Sequence, residues 1–571
     1  MADLLIRGGL VVDGSGAPGR VADVAVTDGK VRGIGDSAES ATDVIDATGL
    51  VVAPGFVDIH THYDAQLFWD PTASPSPLHG VTTVIGGNCG FTLAPAGEKH
   101  ADYLMRMMAR VEGMPLEALE AGLPWDWSSY ADWRSRLDNK IAINAGFLIG
   151  HSSVRRAVMG EACHEEANAD QISEMARLVR EACEAGALGI STSRAPTHND
   201  GDGEPVPSRA ATDEELLALA TAAGEVEGTT VELILAGCIN GFTDDEMDLM
   251  ARMSLAADRP VNWNVLAVTA AHPDAYQHQL KASDVAADRG AKVVALTLPH
   301  STKIRMNFLW GFIFDGLPGW RPVIALPPQE RMKALADPEV RKRLAEGASS
   351  EEAGILRGLA NWGRLRLVET FAPENAAYEG KLVGEVVEER KRNEDPFDVL
   401  LDIVIADELR TGLTPGGMGE ATADDWKLRA EVWRDPRTVV GGSDAGAHLD
   451  MMCGAIYSTA LLQHGVREHQ VITLEEAIHQ LTDVPARLYG LRNRGRIAEG
   501  WAADLVLFDP DTVGYSKERT RADLPGGASR IYAEAEGIEA VLVNGTRVNG
   551  TTSGALLKSG RDTETVPAAR R

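Results

Sequence analysis

The stretch Val51–His62, VVAPGFVDIHTH, is an apolar run that ends in two histidines one residue apart. In an extended chain, residues i and i+2 leave the same face, so His60 and His62 aim two imidazoles at one point. Neutral imidazole is a good ligand for zinc and other divalent ions, and two ligands fixed by one strand lower the entropic cost of assembling a site. Alternating histidines often simply face solvent, so the setting matters. Pro54-Gly55 punctuates the approach, Phe56, Val57 and Ile59 read as a buried strand, and the histidines stand where that strand ends. In a parallel barrel, sites are built at the carboxyl ends of the strands.

Before this stretch, LLIRGGLVVDG, VADVAVTDGKVRGIG and DVIDATGLVV alternate apolar and polar residues between glycine turns, the pattern of antiparallel strands and hairpins. After it the pattern becomes apolar strand, helix, apolar strand. Eight strands are expected, at Val51–His60, Val81–Gly86, Ile141–Ile149, Ala187–Thr192, Thr230–Leu235, Val261–Leu266, Lys292–Leu298 and Thr438–Ser443. Thr212 with Glu215, Thr243 with Glu246 and Thr473 with Glu476 have capping-box spacing at helix starts. Ile172, Met175, Val179 and Ala182 form a core-facing stripe. Eight alternations suit an α/β fold, a (β/α)8 TIM-like barrel covered by its helices. Strands return after about Arg494, so residues 1–54 and 495–571 are expected to share a small β-sandwich domain beside a barrel spanning 55–494. An insertion at about 300–435 carries an aromatic cluster, Phe308, Trp310, Phe312, Phe314 and Trp320. It reads equally as a lid or as a small accessory core.

Composition narrows the function. A formal charge of −29 opposes binding to nucleic acid or an anionic membrane surface. The five cysteines form no CxxC and no regular framework, the usage of a reducing compartment. The start MADLLIRGG has no basic leader and no long apolar core, and nothing later approaches a membrane span, so a soluble cytoplasmic protein is expected.

APGFVDIHTH resembles the first barrel strand of the amidohydrolase superfamily. GVTTVIGGNCGFTLAP (Gly80–Pro95), LIGHSSVR (Leu148–Arg155) and GSDAGAHL (Gly442–Leu449) resemble its D-aminoacylase branch, the N-acyl-D-amino-acid deacylases. The segment Leu481–Pro510 is similar to the superfamily's closing stretch. The resemblance implies a small β domain beside the barrel and a metal site at the strand ends. It gives Asp444, which follows the apolar run TVVGG, the part of metal ligand and general base on the attacking water, returning the proton to the leaving nitrogen. By position alone the rival reading of Asp444 is a helix N-cap in a βα loop, the less favoured of the two. Cys89 in GGNCG is a metal ligand by the resemblance, while a lone buried cysteine is ordinarily inert packing.

The chain also departs from that pattern. The superfamily takes two further histidines from strands five and six, where this sequence has VELILAG and VNWNVL, and strand four, ALGISTS, lacks the lysine some members use. What remains is His60, His62, Cys89 and Asp444, enough for one divalent ion, read as one zinc per chain, with Glu232 as a replacement ligand if it points inward. His151, Arg155, Arg194, His198, His300 and His448 fall near strand ends and are the candidate substrate-binding groups. Arg194 is the first choice for holding a substrate carboxylate and Arg155 the second. His100, His164, His464 and His469 read as surface residues. The function expected is hydrolysis of an amide carbon–nitrogen bond in a small N-acylated substrate by metal-activated water with Asp444 as proton shuttle. Hydrolysis of a cyclic amide, imide or carbamate, and a metal-free binding module on the same scaffold, are the alternatives. Homo-oligomerisation stays open.

Overall fold

The run expected as one strand over Val51–His60 is two strands in two different sheets. Val51–Pro54 lies between Ala2–Val11 (Leu10 against Val51, parallel) and Leu505–Phe508 (Leu505 against Pro54, antiparallel), whereas Phe56–Asp58 runs parallel to Val81–Gly86. Gly55 is the junction. A Cβ there would lie 2.1 Å from the Thr82 side chain, so only glycine lets the chain pass from one sheet to the next. The computed structural model describes the chain except for residues 37–39, 302, 312, 392–393, 549, 551 and 570–571.

The two chain ends share an eight-stranded mixed sheet. Its order is Thr546–Arg547, Ile538–Val543, Leu505–Phe508, Val51–Pro54, Ala2–Val11, Arg20–Thr27 and Lys30–Gly35, with Ala41–Asp46 also paired to Ala2–Val11. Leu4, Ile6, Val24, Val52, Leu505, Leu507 and Leu542 form its core.

The parallel strands fall into two sheets. One holds Phe56–Asp58, Val81–Gly86 and Asn144–Phe147; the other holds Ile149–Gly150, Gly189–Ser193, Thr230–Ile234, Val261–Leu266, Val293–Thr297 and Thr438–Val440. Asn144–Phe147 and Ile149–Gly150 are one run interrupted at Leu148, so a single stretch of chain serves both. At the other end, a parallel bridge pairs Thr61 with Ala445, the His62 N–H donates to Ala445 O (2.8 Å), and the Asp444 N–H donates to His60 O (3.2 Å). The two histidines and Asp444 are therefore fixed by backbone pairing just beyond the first and last strands. The strands are buried almost throughout, as parallel strands covered on both faces must be.

Helices Ala169–Ala185, Asp213–Gly224, Asp244–Ala257 and Ala275–Asp288 separate consecutive strands. Met175, Val179 and Ala182 of the expected stripe are buried and Ile172 packs against them half-buried. Thr243 with Glu246 and Thr473 with Glu476 form reciprocal capping boxes. Thr212 accepts from the Glu215 N–H, but Glu215 does not reciprocate because its carboxylate turns inward to His151 and Arg155.

Residues 301–420 with 450–452 form a second compact unit. Phe308, Phe314 and Trp320 of the aromatic cluster pack with Trp362 and Phe397 in a core of its own, with ring centroids 4.4 Å apart for Phe308 and Phe314 and 4.7 Å for Trp362 and Phe397. Trp310 is exposed, and Phe312 is outside the described residues. Residues 421–435, read as part of the insertion, belong to the first unit, where Trp426 and Trp433 on the helix Ala423–Trp433 are buried in the main core. Among the described residues no helix is long and apolar enough to cross a membrane.

Candidate metal centre

His60 and His62 are each 1% exposed, and their Nε2 atoms converge. Asp444 Oδ1 is 3.2 Å from His60 Nε2 and 3.7 Å from His62 Nε2, and Cys89 Sγ is 3.6 Å from His60 Nε2. One ligand atom from each of His60, His62 and Cys89 lies within 4.8 Å of the other two. Around a tetrahedral zinc ion, neighbouring nitrogen or oxygen ligands stand roughly 3.3 Å apart, and roughly 3.6 Å where one is sulfur, given the usual bond lengths. The spacings fit a bound ion better than direct hydrogen bonds. Neither His60 Nδ1 nor His62 Nδ1 has a hydrogen-bond partner among the described residues. His60 Nδ1 faces Glu232 Oε1 at 4.0 Å, the direction in which a carboxylate orients a metal-bound imidazole.

Loops with unusual backbone carry the other groups. Cys89 (φ 56°), Asp444 (φ 53°) and His448 (φ 50°) are all left-handed, a costly conformation for residues with a Cβ that concentrates at functional sites.

The electrostatics are those of a cation site. Burial favours neutral imidazole and holds His62 down to about 4, so this ring keeps a free lone pair at neutral pH. For His60 burial acts the same way, but Asp444, Glu232 and Asp58 outweigh it and raise the ring above its ordinary value. Burial would raise Asp444, which is about a third exposed; the adjacent His60 and His62 rings prevail and hold it well below the carboxylate range. Four other carboxyl groups lie in the same interior. Burial pushes Asp58, Asp64 and Glu232 up to about 7, and it raises Glu112 well above its usual value, reinforced by Asp444 and Asp64. Burial and the nearby Glu232, Glu112 and Asp444 likewise raise the Cys89 thiol. A donor set of two imidazoles, a thiol and converging carboxylates is one that a divalent ion would satisfy.

The sequence signature of the amidohydrolase family matches residues 43–380 and 383–549. The chain belongs to the amidohydrolase family. It is 28% identical to an N-acyl-D-aspartate deacylase of Alcaligenes xylosoxydans xylosoxydans, over 97% of this chain and 93% of that one. It is also 28% identical to a D-aminoacylase of the same organism, over 96% and 94%. A solved D-aminoacylase structure, described by its binuclear metal centre with one-metal activation and second-metal attenuation, superposes with a TM-score of 0.62 at 26% identity, covering 98% of this chain and all of that one. The protein is a metal-dependent hydrolase of carbon–nitrogen bonds, similar to N-acyl-D-amino-acid deacylases.

In this amidohydrolase the expected substrate groups part company. His198 and His448 lie beside the centre: each is half-buried, burial lowers each, and the charge of Asp444 reaches both. His198 is held by Ser193 Oγ on its Nδ1 (2.8 Å). His151 and Arg155 are not at an open surface. Both are 0% exposed, His151 Nε2 is 2.7 Å from Glu215 Oε1, and Arg155 Nη1 donates to both Glu215 oxygens. Their polarity serves a buried ion-pair network, whose charges need each other because water cannot reach them. Arg194 is also committed, donating from Nη1 to Asp213 (2.8 Å) and from Nη2 to Ala211 O (2.5 Å). His300 is half-buried three residues beyond Val293–Thr297. His100, read as a surface residue, is 6% exposed and accepts from Arg156 Nε.

Glu232 and Asn264, on strands five and six where histidine is missing, are turned to Cys89. Glu232 Oε2 accepts the Cys89 N–H at 2.8 Å. The Asn264 amide lies between the two: with its nitrogen toward Glu232 it donates to Glu232 Oε1 and to Leu233 O, and its oxygen faces the Cys89 sulfur. Three buried carboxylates, Asp58, Asp64 and Glu112, escaped the sequence reading. Asp64 accepts the Gly87 N–H at 3.0 Å, and Glu112 Oε2 is 3.5 Å from His62 Nε2. Glu112 follows the helix Ala101–Val111, where a negative charge opposes the helix dipole; that misplacement is the one signal the sequence offers.

Proposed function

We propose that the chain hydrolyses the amide of an N-acylated D-amino acid, using one divalent ion, read as zinc, held by His60, His62, Cys89 and Asp444. The reading is carried by the convergence of those four side chains at ligand spacing. They would sit at the carboxyl face of a closed (β/α)8 barrel, a reading supported by the Thr61–Ala445 bridge and the run shared by the two parallel sheets. The N- and C-terminal segments would form the small β domain.

A divalent ion in this place supplies Lewis acidity, lowering the pKa of water and polarising the scissile carbonyl. The chain's own groups supply the rest. Asp444 is ionised far below neutral pH and partly open to solvent, so its free oxygen can take a proton from the attacking water and return it to the leaving nitrogen. Glu232 faces the His60 ring and holds the Cys89 backbone, fixing two ligands at once. His198 and His448 are neutral at pH 7 and would offer hydrogen bonds rather than charge to the substrate.

Asp444→Asn tests this reading, because it keeps the shape but cannot accept the proton. Turnover on N-acyl-D-amino acids is expected to fall about 100- to 10,000-fold with KM within a few fold and zinc still bound. Near-normal turnover in the zinc-loaded variant would show that Asp444 is only a loop cap.

A further inference from the structure

We infer that Glu112 is a further ligand of the metal centre, a carboxylate delivered by the loop after a helix and not by a strand end. The inference rests on the metal reading above and deepens it.

Glu112 is 3% exposed, and no described side chain donates a hydrogen bond to its carboxylate. Leaving a buried carboxylate without donors is expensive, so such a group marks a missing partner. Its Oε2 faces His62 Nε2 at 3.5 Å. A direct hydrogen bond between an imidazole and a carboxylate would close to about 2.7–2.9 Å. The longer gap matches two ligands on one ion, as do the 3.7 Å from His62 Nε2 to Asp444 Oδ1 and the 3.2 Å from His60 Nε2 to the same oxygen.

The placement of Glu112 is enforced from two sides. Its N–H closes the last turn of Ala101–Val111 on Met108 O (2.9 Å), and its own carbonyl accepts the N–H of His448, four residues beyond Asp444. The loop that carries one ligand is thus tied through the backbone to the residue inferred to be another. The chemistry is complementary as well. Glu232 and Asn264 both turn toward Cys89, which leaves the His62 side of the centre without a replacement from strands five and six. Glu112 fills that side.

The test is zinc affinity of the full-length protein, measured by competition with a chromophoric chelator, together with the visible spectrum of the cobalt(II)-substituted protein. Glu112→Gln is expected to weaken zinc binding by at least about 10- to 100-fold, the loss seen when even an outer-shell partner is removed, and to change the cobalt spectrum. The zinc-free variant should unfold at no lower a temperature than zinc-free wild type, since the substitution removes a buried acid. If Glu112→Gln does not fold, Glu112→Asp, which shortens the reach, is expected to show a smaller loss of affinity. Zinc affinity within twofold of wild type in either variant, with His62→Ala still losing zinc, overturns the inference and leaves the metal reading standing. Unchanged zinc binding in His62→Ala as well overturns both.

Discussion

Glu215→Gln separates the wall of the site from the site itself. Glu215, His151 and Arg155 are all fully buried, with His151 and Arg155 both bonded to the Glu215 carboxylate. Glutamine keeps the shape and one acceptor but removes the charge, leaving the buried Arg155 guanidinium with neutral acceptors alone, the amide oxygen and the carbonyls of Cys163 and Glu165. Removing one partner of a buried ion pair costs about 3–5 kcal/mol, since the remaining charge stays buried. In a unit of roughly 450 residues, a loss of about 4 kcal/mol lowers the melting temperature by roughly 4 °C, at an unfolding entropy of about 2 cal/mol/K per residue. Urea unfolding followed by tryptophan fluorescence reads the stability, and turnover per folded molecule reads the site. The expected result is clear destabilisation with KM unchanged within a few fold. Stability within about 0.5 kcal/mol of wild type combined with a tenfold higher KM would refute this reasoning and return Arg155 to the substrate.

Acid lability is expected from His79, which is buried between Thr459 Oγ1 and Ala533 O and held down to about 4 from an ordinary 6.5. The unfolded chain takes up this proton first as pH falls below 6.5, so stability drops from there down to about pH 4, by at most about 3 kcal/mol for this one residue. His79→Asn should flatten the stability profile across that window, and an unchanged slope would exclude His79 as the source. Gly454→Ala would place a Cβ 1.7 Å from the Ser443 carbonyl oxygen, forcing the backbone next to Asp444 to move. A displacement of about 1 Å at the chemistry costs roughly 100-fold in turnover, so full activity in this variant would mean the loop can yield without moving the carboxylate.

The histidine pair was legible because its signal is local: a period of two on a strand needs no tertiary knowledge. The placement of Cys89 and Asp444 beside that pair was legible through the motifs around them. Glu112 and Asp64 were not, because burial of a carboxylate is decided by what packs over it, and neither lies in a recognisable motif. The same limit explains His151 and Arg155. Their place just after a strand suggested exposure at the site face, yet Glu215, 60 residues further along, reaches Arg155 and closes over both. Position relative to a strand end is readable in sequence; the direction of a long side chain is not. The break of the first strand at Gly55 was also hidden, since the apolar run continues through it and only the approach of Thr82 makes glycine necessary.

Loss of the two strand histidines changes the charge of the centre as well as its ligand count. Imidazole is a neutral donor, whereas Glu232 and Glu112 are potential anions, and in the metal-free protein burial keeps both of them and the Cys89 thiol raised. A divalent ion seated among them favours the ionised form of every one, so its binding is coupled to release of protons from the interior. The coupling means that affinity is paid for partly in deprotonation and therefore grows with pH. It also shapes selectivity. Added carboxylate oxygens suit harder ions, while a thiolate with two imidazoles suits zinc, and Cys89 lies against His60 within the tightest group of ligand atoms. With the centre proposed above, the carboxylates would compensate for the missing ligands, and the thiol would retain the preference for zinc.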